Sequence, residues 1–277
     1  MARKLRKAST KQLKELKPFL DMWVQKVEKS AYVEDDPVLF MHAFEEKEDQ
    51  LLAGFFAALF AWGRRDVVIK KTADLLERMG NRPADFIRAF KEKDHDQFKR
   101  FKHRTFKPID IYWLIRILQK ILGKYHSFES FWTHCYNLSI EQEKNLIAVF
   151  NEEFFTLCPD VAQRTHKHIS NPEKNSSSKR LYLYLKWAVR RNSPVDLGLM
   201  NFMPASELMI PLDVHVARQA RKLGLLTRTY NDWKAVVELT QSLRKLDPYD
   251  PVKYDYALFG LGVNENEIPK KFLLNDS

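Results

Sequence analysis

Apolar residues recur along this chain at helical spacing, and no region reads as strand-rich. From Thr10 the series Leu13, Leu16, Phe19, Leu20, Trp23 and Val27, with lysines between, predicts a first amphipathic helix. A short segment follows at 37–44. The next run, Leu51, Leu52, Phe55, Phe56, Leu59 and Phe60, is apolar almost all round and predicts a helix buried at a domain centre, ended by Gly63. Further helices are predicted at 66–79, closed by Gly80-Asn81-Arg82-Pro83, and at 84–90, 109–122, 128–134 and 140–155. The polar stretch 163–178, with Asn171-Pro172 and three consecutive serines, interrupts this pattern and is expected to be a mobile loop or a boundary. Beyond it come helices at 179–191, 214–223, 233–246 and 252–261, then a tail expected to fray after Glu265. The expectation is an all-α fold over 1–277, one unit of two helical lobes, with the chain changing layers near 163–178.

Composition supports that pattern and narrows the chemistry. Only 8 glycines in 277 residues disfavour a large α/β fold, whose turns use glycine freely. Two cysteines, Cys135 and Cys158, exclude a disulfide framework or a four-cysteine metal site within the chain; two core thiols in a reducing compartment are expected. No apolar segment follows the basic N-terminus, and 51–62 is too short to span a bilayer, so the expected location is cytoplasmic, away from membranes. A formal net charge of +10 favours a polyanionic partner, although a solvated lysine-rich face accounts for it equally well.

The most informative segment is Ile210-Pro211-Leu212-Asp213-Val214-His215-Val216-Ala217-Arg218, continuing to Arg221-Lys222-Leu223-Gly224. Read physically, Asp213 is an N-cap accepting the free amide protons of the following turn, and Gly224 closes the helix at C′. As residues alone, these describe a capped helix and nothing more. The segment also resembles the signature that follows the hairpin in the helix-hairpin-helix DNA glycosylases, where an aspartate both caps a helix and serves catalysis. Asp232-Trp233 with Val236, Glu238-Leu239 and Leu243, and Asp250-Pro251-Val252 with Asp255-Tyr256-Ala257-Leu258 and Gly260, resemble that superfamily's closing helices. The resemblance is good over 179–262 and looser over 51–79. The whole chain also resembles an uncharacterised bacterial family, a domain of unknown function.

The leucine-proline-glycine-x-glycine hairpin usual before that aspartate is absent, and with it the backbone amides that hold a DNA phosphate. Lys179-Arg180-Leu181-Tyr182-Leu183-Tyr184-Leu185-Lys186 instead resembles the archaeal 8-oxoguanine glycosylase type, which has an atypical hairpin and two lysines seven positions apart. The 34 positions from Lys179 to Asp213 suit that longer form. What this resemblance implies is a base-excision glycosylase with AP-lyase activity on damaged double-stranded DNA, with Lys179 as nucleophile, Lys186 as the second choice, and Asp213 stabilising the sugar cation. Such chemistry needs no cofactor, and a monomer is expected.

Candidate DNA contacts are Arg180, Lys186, His215 and Arg218, together with Trp62, Arg64 and Arg65 at the end of the buried helix and Arg104 in Phe101-Lys102-His103-Arg104-Thr105-Phe106. Trp62 as core and the arginines as a solvated turn is the competing reading. Two other functions stay open: a non-catalytic nucleic-acid-binding module, favoured by the missing hairpin, and a helical adaptor whose basic surface is incidental.

Overall fold

A computed structural model describes residues 5–263 and 268–275. The structure is all-α, without a strand among the described residues. The α-helices in chain order are α1 Thr10–Val27, α2 Leu39–His42, α3 Lys47–Phe60, α4 Arg65–Arg78, α5 Pro83–Ala89, α6 Pro108–Tyr125, α7 Phe128–Glu141, α8 Leu146–Thr156, α9 Lys179–Val189, α10 Val214–Lys222, α11 Trp233–Arg244 and α12 Tyr254–Val263. The chain divides into two compact units. The first comprises Met1–Tyr32, Lys174–Gly198 and Pro204–Ser277; the second comprises Val33–Glu173 and Leu199–Met203.

In the second unit α3 is the axis. Every residue from Leu51 to Phe60 is buried, as its unbroken apolar circumference requires. Around it pack α2, α4, α5 and α7, with α6 against α5 and α7, and α8 against α7. Phe55 meets Phe128 edge to face at 5.0 Å, and Trp132 stacks on Phe150 at 4.0 Å. Each such fully buried side chain contributes about 1.5–3 kcal/mol of burial free energy. Both cysteines are free and buried.

In the first unit α12 is the centre, packed by α1 and α10. Gly260 permits the close approach of α1, since a Cβ there would lie 2.5 Å from Val27 Cγ2. Ser9 caps α1 in a capping box with Gln12. Gly224, at φ +69, ends α10 in the left-handed conformation expected of a C′ glycine.

Three expectations are corrected. The helix placed at 140–155 starts later, at Leu146. Glu143 adopts φ +52 and Asn145 caps the new helix through Ile147 N, so α7 runs on to Glu141 before the break. The stretch 163–178 is not a featureless loop. Gln163–His168 and Pro172–Lys174 are 3-10 turns, and Thr165 and His168 are buried. Asp110, at the start of α6, holds the first of these turns: Thr165 Oγ1 donates to it at 2.9 Å, Arg164 pairs with it, and His168 Nε2 lies 3.3 Å away. The chain leaves the second unit at Glu173, inside this stretch.

The tail also differs from expectation. Residues 264–267 and 276–277 lie outside the described residues, as do 1–4. Residues 268–275, however, return to the first unit. Asn275 Nδ2 donates to Arg6 O at 2.9 Å and to Arg221 O at 2.8 Å. Among the described residues no helix is long and apolar enough to cross a membrane.

Candidate functional site

Two side chains 34 positions apart in sequence meet in the first unit. Asp213 is the N-cap of α10, with Oδ1 accepting from Val216 N at 2.8 Å. Its other oxygen, Oδ2, lies 3.6 Å from Lys179 Nζ. One carboxylate therefore satisfies an orphan helix amide and faces an ammonium at the same time. Lys179 is the first residue of α9. The serine before it, at φ +47, gives the helix no side-chain cap, and its carbonyl accepts from Leu181 N and Tyr182 N at 3.1 and 3.2 Å. The side chains of Lys179 and Asp213 remain 30% and 13% exposed, so the pair is reachable.

The N-terminal end of α9 is held by neighbouring residues of the same unit. Asn175 Nδ2 donates to Asp232 Oδ2 at 3.2 Å, Trp233 N donates to Asn175 O at 3.4 Å, and Tyr182 stacks on Trp233 at 5.7 Å. Asp232 also caps α11 and binds Arg228. The arginine's hydrogen bond, helped by the Ala235 amide, lowers the carboxyl to about 2 against the cost of its desolvation.

Lys186 is corrected. Only 2% of its side chain is exposed, so it is not a contact for nucleic acid. Its Nζ lies 2.5 Å from Asp255 Oδ2 and 3.7 Å from the centroid of the Tyr256 ring. Burial opposes its charge, but Asp255 and Asp196 outweigh burial and hold the ammonium above its ordinary pKa. Asp196 in turn accepts from Tyr256 OH at 2.6 Å and from Arg190 Nη1 at 2.7 Å. Arg190 also binds Asp250 at 2.9 Å and Glu28. Two buried cations thus face four carboxylates. Burial pushes Asp196, Asp250 and Asp255 above the usual carboxylate range despite these partners. The charges of Asp213 and Lys179 act on Asp255, so the reachable pair is coupled electrostatically to the buried cluster.

Asp255, Asp196, Arg190, Asp250 and Glu28 were not singled out from sequence as charged participants. The available signal was Asp255 inside the apolar run Val252–Leu261, where a lone carboxylate demands a buried partner.

The remaining candidates separate by unit. Arg180 is half-buried in the first unit, and burial lowers its guanidinium to about 10. His215 lies edge-on to Phe259 at 6.1 Å, and Arg218 Nη2 donates to Gly262 O at 3.1 Å, satisfying a carbonyl in the last turn of α12. Trp62, Arg64, Arg65 and Arg104 belong to the second unit. Arg104 lies over the Trp62 ring at 5.3 Å; Arg64 is bound to Asp66 at 2.8 Å, and Arg65 to Asp36 at 3.4 Å. Trp62 is not core, being 38% exposed. The aromatics flanking Arg104 are core: Phe101, His103 and Phe106 are buried against Phe60. Between α9 and α10 there is no α-helix, only a 3-10 turn at Ala205–Glu207. Among the described residues no group of three or more His, Cys, Asp or Glu side chains is placed to hold a metal ion.

Fold and site together define an all-helical protein with a reachable lysine–aspartate pair at the meeting of two helix N-termini. The chain belongs to the family described as "Protein of unknown function (DUF2400)", whose profile matches residues 36–264. No significant match was found among curated proteins or solved structures.

Proposed function

We propose that the chain is a DNA base-excision glycosylase with AP-lyase activity, acting on an oxidised base such as 8-oxoguanine. The observation that carries this reading is the 3.6 Å approach of Lys179 Nζ to Asp213 Oδ2, with Asp213 fixed as a helix cap. The helix-hairpin-helix resemblance supplies the substrate class. In this reading the damaged base is flipped out of the duplex at a cost of roughly a few kcal/mol, which disfavours flipping of intact pairs. Asp213 takes a proton from the Lys179 ammonium, or stabilises the sugar cation as the glycosidic bond breaks. The electron pair of that bond leaves with the base, which is then protonated. Lys179 Nζ bonds to C1′, and ring opening gives a Schiff base, from which β-elimination expels the 3′ phosphate.

The reading is tested by incubating the protein with an 8-oxoguanine duplex under sodium borohydride. A covalent complex that is lost in Lys179→Gln and weakened in Asp213→Asn supports it. No complex with 8-oxoguanine, abasic or other damaged duplexes contradicts it. The absence of a helical hairpin between α9 and α10 favours a second reading, a non-catalytic nucleic-acid-binding protein, which predicts binding without any trapped complex.

A further inference from the structure

In the second unit, two turns remote in sequence are locked together. Trp62 follows α3, whose end is closed by Trp62 N donating to Phe60 O at 2.7 Å. The other turn is pinched by the bridge between His103 and Phe106, placing Arg104 at its tip with φ +53. Phe60 clamps the two. His103 Nε2 lies 3.1 Å from Phe60 O, and the Phe60 ring contacts both His103, at 5.0 Å, and Phe106, at 4.9 Å. Gly63, at φ +95, completes the fit, since a Cβ there would sit 1.7 Å from Arg104 Nη2. Above this buried base, Arg104 holds the Trp62 ring through its guanidinium and through a bond from Nε to Trp62 O at 3.4 Å. The two turns, 61–67 and 102–107, carry the cations Arg64, Arg65, Lys102, Arg104 and Lys107 and one carboxylate, Asp66.

We propose that Trp62 and Arg104 form a platform for one unpaired nucleotide of single-stranded nucleic acid, its base on the indole face opposite the Arg104 guanidinium and its phosphate on Arg104. An exposed aromatic kept at the surface by a rigid clamp, beside a surplus of cations, fits a ligand that joins a flat apolar face to a nearby anion. A nucleotide has both. A base inside a duplex has its faces covered by its neighbours, so only an unstacked base can occupy the ring. Arg104 keeps N–H donors available for a phosphate while its guanidinium lies on the ring. The platform goes beyond the glycosylase reading: it lies in the other unit, needs no damaged base and makes no covalent bond.

The test compares a fluorescently labelled short oligothymidylate with a chain of abasic sugar phosphates of equal length, by anisotropy. Lys179→Gln serves as the background, so the outcome does not depend on the trapping assay. Trp62→Ala is expected to weaken oligothymidylate binding about tenfold and to leave abasic-chain binding unchanged, with Trp62→Phe restoring most of the loss. Arg104→Ala is expected to reduce the salt dependence of binding by about 0.7 in log–log slope on both chains. Oligouridylate binding as tightly as oligothymidylate extends the ligand to RNA and supports the proposal. Equal effects of Trp62→Ala on both chains, no effect on either, or displacement by polyglutamate at equal charge would each overturn it.

Discussion

Lys179 and Lys186 lie on the same helix face, seven residues and roughly 10 Å apart, and differ in almost every property that matters for chemistry. Lys186 is buried and bound at 2.5 Å to Asp255, with Tyr256 beneath its ammonium. Lys179 stands at the open end of α9, 3.6 Å from its carboxylate and about a third exposed. A nucleophile must reach a substrate and exchange a proton, and only Lys179 is placed to do so. Lys186 does the opposite work: it compensates carboxylates that could not otherwise remain in the interior. In the glycosylase reading the two lysines at this spacing therefore divide into one nucleophile, Lys179, and one support, Lys186.

The largest effect is expected at the buried end. Lys186→Ala leaves Asp255 and Asp196 without their nearest ammonium and should cost about 3–5 kcal/mol in urea unfolding. Pairing Lys186→Met with Asp255→Leu should recover most of that loss. A Lys186→Ala protein of normal stability would remove the contrast.

Next comes Asp110, a fully buried carboxylate of the second unit. Burial raises its pKa, but hydrogen bonds from His168, Lys107 N, Thr165 and Arg164 outweigh burial and hold it at about 2. Its folded pKa lies below the unfolded one, so its contribution is present above pH ~4 and lost as pH falls through about 2. Asp110→Asn should cost about 2 kcal/mol at pH 7, and the penalty should shrink across that window in pH-dependent melts. Asp196 and Asp255, buried in the first unit, are shifted the other way. Their folded pKa lies above the unfolded one, so the stability that their burial removes is regained as pH falls through the folded pKa toward the unfolded value of ~4.

The smallest stability effects are expected at the open end of α9. Asp213→Ala should cost about 1 kcal/mol through the lost cap and Asp213→Asn only a few tenths. Lys179→Gln should change stability by no more than about 1 kcal/mol, because a partly exposed pair contributes little. If Lys179→Gln proved as destabilising as Lys186→Ala, Lys179 too would be a structural support.

How much of this was legible in sequence depended on whether the cause was local. Asp213 as a cap, Gly224 as a C′ residue and α3 as a buried helix all follow from patterns within one turn or one run of residues. Lys179 and Asp213 were paired through the resemblance, and their approach in space required the fold. Lys186 was misread because a lysine on an apolar helix face looks the same in sequence whether or not a carboxylate waits opposite it; Asp255 lies 69 positions on. The ordered turn within 163–178 was not legible because Arg164, Thr165 and His168 are held by Asp110, 55 positions before Thr165, which no local rule detects. The break before α8 depended on a left-handed Glu143, a residue type with little intrinsic preference for that conformation.

The most direct test of the two-lysine contrast is to locate the covalent bond itself. The protein is trapped with borohydride on an 8-oxoguanine duplex, digested, and the cross-linked peptide is sequenced by mass spectrometry. A modified Lys179 and an unmodified Lys186 are expected. A sugar remnant on Lys186, or on any lysine outside the first turn of α9, would contradict the two-lysine contrast.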